Sequence, residues 1–60
     1  MTIIRFRHTD EGRAVKESFQ RATAKVRIAK QNQRTMVRLT NPNGTRVAFE
    51  TANIVEVSEA

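Results

Sequence analysis

A chain of sixty residues without a cysteine must hold its fold without the staple that domains of this size usually carry. At this length folding buries only ~60% of the surface that the unfolded chain exposes, so the core is marginal. Disulfides, a metal or a partner subunit normally supply the difference. The absence of cysteine removes disulfides and thiolate metal sites, and a single histidine, His8, cannot build an imidazole site. Tight packing, self-association or binding must do that work, and a homo-oligomer is one expectation that follows.

The apolar residues recur at regular periods, which argues for folding over disorder. Thr2 to His8 is β-branched and aromatic and reads as a strand, with Ile4, Phe6 and His8 on one face and Ile3, Arg5 and Arg7 on the other. Thr9 or Asp10 then suits a helix N-cap, and Asp10 and Glu11 place negative charge at the positive end of the helix dipole. Val15, Phe19, Ala22, Val26 and Ala29 follow at i, i+4, i+7, i+11 and i+14, one narrow core-facing stripe on a helix that ends between Lys30 and Asn32. On that helix Glu17 pairs with Arg13 and Arg21, each four residues away. A rival reading ends the helix near Arg21 and makes Ala24 to Ile28 an alternating strand, because Ile28 points away from the stripe. The stripe stays in phase longer than the alternation does, and this favours the helix.

Thr35 to Thr40 alternates, with Val37 and Leu39 on one side and Met36 and Arg38 on the other. Asn41-Pro42-Asn43-Gly44 is a hairpin signal, since Pro42 presets one dihedral and Asn43-Gly44 accepts positive φ. Thr45 to Glu50 continues as a strand with Val47 and Phe49 inward. Thr51 to Asn53 connects it to a last strand at Ile54 to Val57, and Ser58 to Ala60 reads as a frayed tail. The expected architecture is a single α+β domain over residues 1–60: strand, helix, then a three-stranded antiparallel meander (βαβββ). The spacing Val37-x-Leu39, an Asn-Gly turn, Val47-x-Phe49 and Ile54 is similar to the closing strands of small SH3-like or Sm-like barrels. That resemblance implies the alternative fold, such a barrel with a short helix after the first strand.

Catalytic chemistry finds little support. His8-Thr9-Asp10 brings an imidazole near a carboxylate, but a strand-end histidine beside an N-cap aspartate explains it, and no pocket-forming sequence accompanies it. Gly12 and Gly44 stand alone, so no glycine-rich phosphate loop exists, and Asp10-Glu11 serves a helix start better than acid/base work. The chain reads as a non-enzyme without cofactor or metal. No segment reaches the ~20 apolar residues of a membrane span, and the N-terminus lacks a signal peptide's apolar run, so a cytoplasmic location without membrane contact is expected.

Charge is what remains. The net charge is +5, and its placement says more than its sum. Arg13, Lys16, Arg21, Lys25, Arg27, Lys30, Arg34 and Arg38 fall in one block opposed only by Glu17, while Glu50, Glu56 and Glu59 lie after Leu39. Such segregation favours an acidic partner, and these eight residues are the expected contacts to a DNA or RNA backbone. Alternation adds a sheet face of Arg5, Arg7, Arg38 and Arg46. There is no Trp or Tyr, and Phe6, Phe19 and Phe49 occupy expected core positions, so stacking on exposed aromatics is not indicated. A duplex or structured RNA gripped by its backbone fits better, in a regulatory or accessory role. The alternative is a protein-interaction module or small inhibitor docking an acidic partner surface, or an oligomerising adaptor, with Ile28 and Met36 as partner contacts outside the core.

Overall fold

The computed structural model describes residues 1–60. Its elements are β1 (Thr2–Phe6), β2 (Gly12–Val15), α1 (Phe19–Gln31), β3 (Met36–Thr40), β4 (Arg46–Glu50) and β5 (Ile54–Glu59), with one 3₁₀ turn at Thr51–Asn53. The strands make two antiparallel sheets, one ordered β2-β1-β5 and the other the hairpin β3-β4. The chain is therefore a small α+β domain with a single helix, as its hydrophobic periods require. It is not the closed barrel of the alternative, and its helix follows the second strand rather than the first.

Nine buried apolar side chains form the core: Ile4 and Val15 from β1 and β2, Ala22, Val26 and Ala29 from α1, Val37, Leu39 and Phe49 from the hairpin, and Ile54 from β5. The two alanines let the helix backbone approach the strands closely. Ile4, Leu39 and Ile54 are almost wholly shielded, and each contributes on the order of 1.5–3 kcal/mol by leaving water. The Phe6 and Phe49 rings meet at 5.3 Å between centroids, tying the two sheets face to face.

The turn after β3 forms as the sequence demands. Gly44 N–H donates to Asn41 O, Asn43 Oδ1 accepts from Thr45 N–H, and Gly44 takes φ +94°. The helix ends within the expected Lys30 to Asn32, and a non-glycine residue just past that end adopts the left-handed conformation. Gln33 sits at φ 55°, with Gln33 N–H donating to Lys30 O and Arg34 N–H to Ala29 O. This is the paired-bond ending that glycine usually supplies.

Four expectations need correction. The helix does not begin at Thr9 or Asp10. Ser18 is the N-cap, and its Oγ accepts from Arg21 N–H at 3.2 Å, while Thr9 Oγ1 bonds Glu11 within the β1–β2 turn. Gly12 to Val15 is a strand because it pairs with β1, where a side chain at Gly12 would overlap Ile3 Cγ2. Second, the last three strands are not a meander: β5 pairs with β1, not with β4. Third, residues 58–60 are not frayed, since Ser58 and Glu59 pair with Ile3 and Thr2, and Ala60 N–H donates to Met1 O. Fourth, Phe19 is not a core residue. It borders solvent at the start of α1, because Val15, its supposed neighbour on the stripe, belongs to another element.

Candidate nucleic-acid interface

Helix α1 lies along β3, and the groove between them collects the basic residues. Position 38 of β3 and position 46 of β4 are exposed on the hairpin's outer face, where strand alternation puts them opposite buried Val37, Leu39 and Phe49. Arg21 and Lys25 are one helical turn apart on the flank of α1 that faces them. These four cations line an open groove of about 460 Å³ with Ile28 and Thr40. It shares Arg21 and Thr40 with a neighbouring recess that holds Lys16. It shares Lys25, Ile28 and Arg38 with another that holds Arg34 and Met36. The result is one basic track carrying Lys16, Arg21, Lys25, Arg34, Arg38 and Arg46.

The only carboxylate in this track is occupied. Glu17 is not on the helix, and neither Arg13 nor Arg21 is its partner. Its Oε1 accepts the Thr40 N–H at 2.9 Å and its Oε2 accepts the Thr40 hydroxyl at 2.9 Å. Lys25 Nζ stands 4.0 Å from Oε2 and donates to Arg38 O at 3.2 Å. Burial pushes the Glu17 carboxyl up, but the bonds from Thr40, from its own backbone and the Lys25 charge together hold it below the usual carboxylate range. Glu17 thus fastens the end of β3 to the segment entering the helix; of the groove's cations it pairs only with Lys25, and Arg21, Arg38 and Arg46 have no carboxylate partner.

The structure separates three of the eight expected contacts from the rest. Arg13 is at the sheet edge with its guanidinium 5.7 Å from the centre of the Phe49 ring, where it covers the core. Arg27 is on the opposite flank of α1, lining a groove against β5 with Phe19, Val55 and Glu56. Lys30 spends its ammonium on Ile54 O, at 2.9 Å. A single sequence run was split because Arg21 and Lys25, four apart in α1, share a face, whereas Lys25 and Arg27, two apart, do not. The expected basic sheet face divides as well. Arg38 and Arg46 share it, but Arg5 is in the other sheet, 3.6 Å from Glu56 in an exposed ion pair. Arg7 lies past the end of β1, its N–H bonded to Asn53 O.

Ile28 and Met36 are 54% and 44% exposed, and they sit in the floor of the same track rather than on a surface of their own. Sequence reasoning gave Arg46 to a sheet face but left it out of the central block, because a turn of chain separates it from Arg38. The strand register sets Arg46 opposite Thr40, two residues from Arg38, and thereby restores it to the site. No group of three or more His, Cys, Asp or Glu side chains is placed to hold a metal ion. No helix is long and apolar enough to cross a membrane. Neither a known protein family nor a curated protein matches the chain.

Proposed function

We propose that this protein is a small non-enzymatic binder of nucleic acid in the cytoplasm, which grips the phosphate backbone of duplex DNA or structured RNA along the α1–hairpin track. One observation carries the reading: Arg21, Lys25, Arg38 and Arg46 converge on a single open groove whose one carboxylate is bonded to Thr40. Four cations within one groove give a surface potential that a scattered set would not, and a polyanion gains by releasing its condensed counterions there. The groove offers no exposed aromatic ring, so affinity comes from phosphates and carries little sequence preference.

A second reading draws on Ile28 and Met36. Exposed apolar groups between Lys25, Arg34 and Arg38 also suit an acidic protein segment that anchors one apolar side chain. Fluorescence anisotropy with labelled duplex DNA, single-stranded DNA and RNA separates the two. Binding to nucleic acid predicts retention at about 50 mM salt and a loss of on the order of 10² or more in affinity at about 200 mM, as expected when several phosphates are neutralised. Absence of retention on all three probes at low salt would refute the proposal and leave the protein-partner reading.

A further inference from the structure

One edge of the hairpin is partly bonded by the rest of the chain and the other has no strand beside it, and the second edge is complementary to itself. Asn41 N–H donates to Thr45 O at the turn and Thr51 N–H to Thr35 O at the far end. With the register Leu39↔Val47 and Val37↔Phe49, these two bonds set the phase of the ladder. The β3–β4 bonds are made by Val47 and Phe49, and the N–H and C=O groups of Arg46, Ala48 and Glu50 turn away from β3. β4 pairs with no other strand. Its side chains at 46, 48 and 50 are all exposed.

We infer that two copies of this chain join through β4, antiparallel and centred on Ala48, to make a four-stranded sheet β3-β4-β4-β3. The argument is charge complementarity in register. About Ala48 the strand Arg46-Val47-Ala48-Phe49-Glu50 is a palindrome of opposite charge. Antiparallel pairing on that centre sets Arg46 opposite Glu50 of the second copy, and Glu50 opposite its Arg46, with the small Ala48 side chains meeting at the axis. The same register lets the two Ala48 residues exchange both backbone bonds and lets each Glu50 N–H donate to the Arg46 C=O of the other copy, while the Glu50 C=O stays with Asn53 N–H in the 3₁₀ turn. Glu50 Oε2 already accepts from Asn53 Nδ2 at 3.0 Å, which leaves Oε1 for the incoming guanidinium. On the inner face Val47, half-buried in one copy, comes beside Phe49 of the other. A parallel pairing would stack like charges instead. An exposed, ladder-competent edge is a template for pairing, and a marginal core gains stability from it. The two-fold operation also lays two copies of the Arg38 row on one continuous outer face.

Sedimentation velocity of the full chain without nucleic acid tests this, over about 1 µM to 1 mM protein at low salt, the range in which a small interface shows itself. The wild type should pass from monomer to dimer within that range. Arg46→Glu and Glu50→Arg should each weaken association at least about tenfold by placing like charges opposite, and the double variant Arg46→Glu with Glu50→Arg should restore it. Ala48→Pro, which deletes the central outward N–H but no bond within the hairpin, should abolish dimers. Circular dichroism of each variant reports whether it folds, and the charge swap carries the test if Ala48→Pro does not. A wild type that stays monomeric throughout overturns the inference, as does a double variant no better than the singles. Either failure leaves the basic track, which is read by anisotropy on the monomer, untouched.

Discussion

Along β3 three of the six outward backbone groups are taken: Thr40 C=O by Lys16 N–H at 2.7 Å, Thr40 N–H by Glu17, and Arg38 C=O by Lys25. Along β4 the equivalent groups of Arg46 and Ala48 and the Glu50 N–H face no second strand, and only the Glu50 C=O is used, by Asn53 N–H in the 3₁₀ turn. The strands themselves do not explain the difference, since both are five residues long and alternate alike. What differs is the neighbour. The segment Lys16-Glu17 and the first turns of α1 run beside β3 and supply a donor, an acceptor and an ammonium, whereas no strand pairs with β4 on its far side. An edge is managed by chemistry imported from elsewhere in the chain, not by its own sequence.

Breaking the β3 edge should have the largest effect. Glu17→Ala strips the Thr40 N–H and hydroxyl of their acceptor, and urea denaturation should show a loss of about 2–3 kcal/mol. Glu17→Gln keeps an acceptor oxygen and should lose about half as much; negligible loss from Glu17→Ala would mean that the carboxylate does not hold the edge. The pH dependence follows from the lowered pKa. A carboxyl that is more acidic folded than unfolded contributes its stability above the unfolded value, about 4.3, and loses it as pH falls through the folded one. The gap between wild type and Glu17→Gln should thus be flat from neutrality to about pH 5 and shrink below about pH 4.3.

The two edges frame the basic track, and charge reversal across it comes next. Arg21→Glu with Arg38→Glu should weaken duplex binding by at least about tenfold at low salt and flatten its salt dependence. Arg27→Glu, on the far flank of α1, should change it about twofold or less. Comparable losses from both would show that binding follows net charge rather than the groove.

Smaller changes sharpen the contrast. Lys25→Met retains the alkyl stem but removes the donor to Arg38 O, and should lower stability by about 0.5–1 kcal/mol, the group being partly exposed. Gln33→Gly relieves a left-handed residue at the end of α1, and thermal unfolding should show a gain of up to about 1 kcal/mol. No gain would place the Gln33 side chain in a compensating role at the α1–β3 junction.

Some of this was legible in the linear chain. The turn at Asn41 to Gly44, the inward Val37, Leu39 and Phe49, and the helical phase of Ala22, Val26 and Ala29 all rest on interactions within a few residues. The outward placement of Ile28 and Met36 followed from the same periods. The first helix boundary was misread because Val15 keeps helical phase with Ala22 and Val26 although it belongs to β2. Four residues of alternation cannot outweigh that, and only the pairing of Gly12 to Val15 with β1 decides it. The role of Glu17 was misread for the same reason, since a residue placed on a helix finds partners at i±4, and one placed before it reaches a strand 23 positions away.

Periodicity, turn chemistry and charge segregation are local or additive properties, so sequence alone determined an α+β domain with one amphipathic helix, an Asn-Gly hairpin and a basic middle. Tertiary structure alone decided that β5 pairs with β1, that Arg38 and Arg46 join Arg21 and Lys25 while Arg27 and Lys30 turn to β5, and that the β3 edge of the hairpin is bonded by α1 and its approach while the β4 edge has no strand beside it. Those outcomes depend on which distant segments meet, and the free energy of such contacts is a property of the packed chain, not of any window of it.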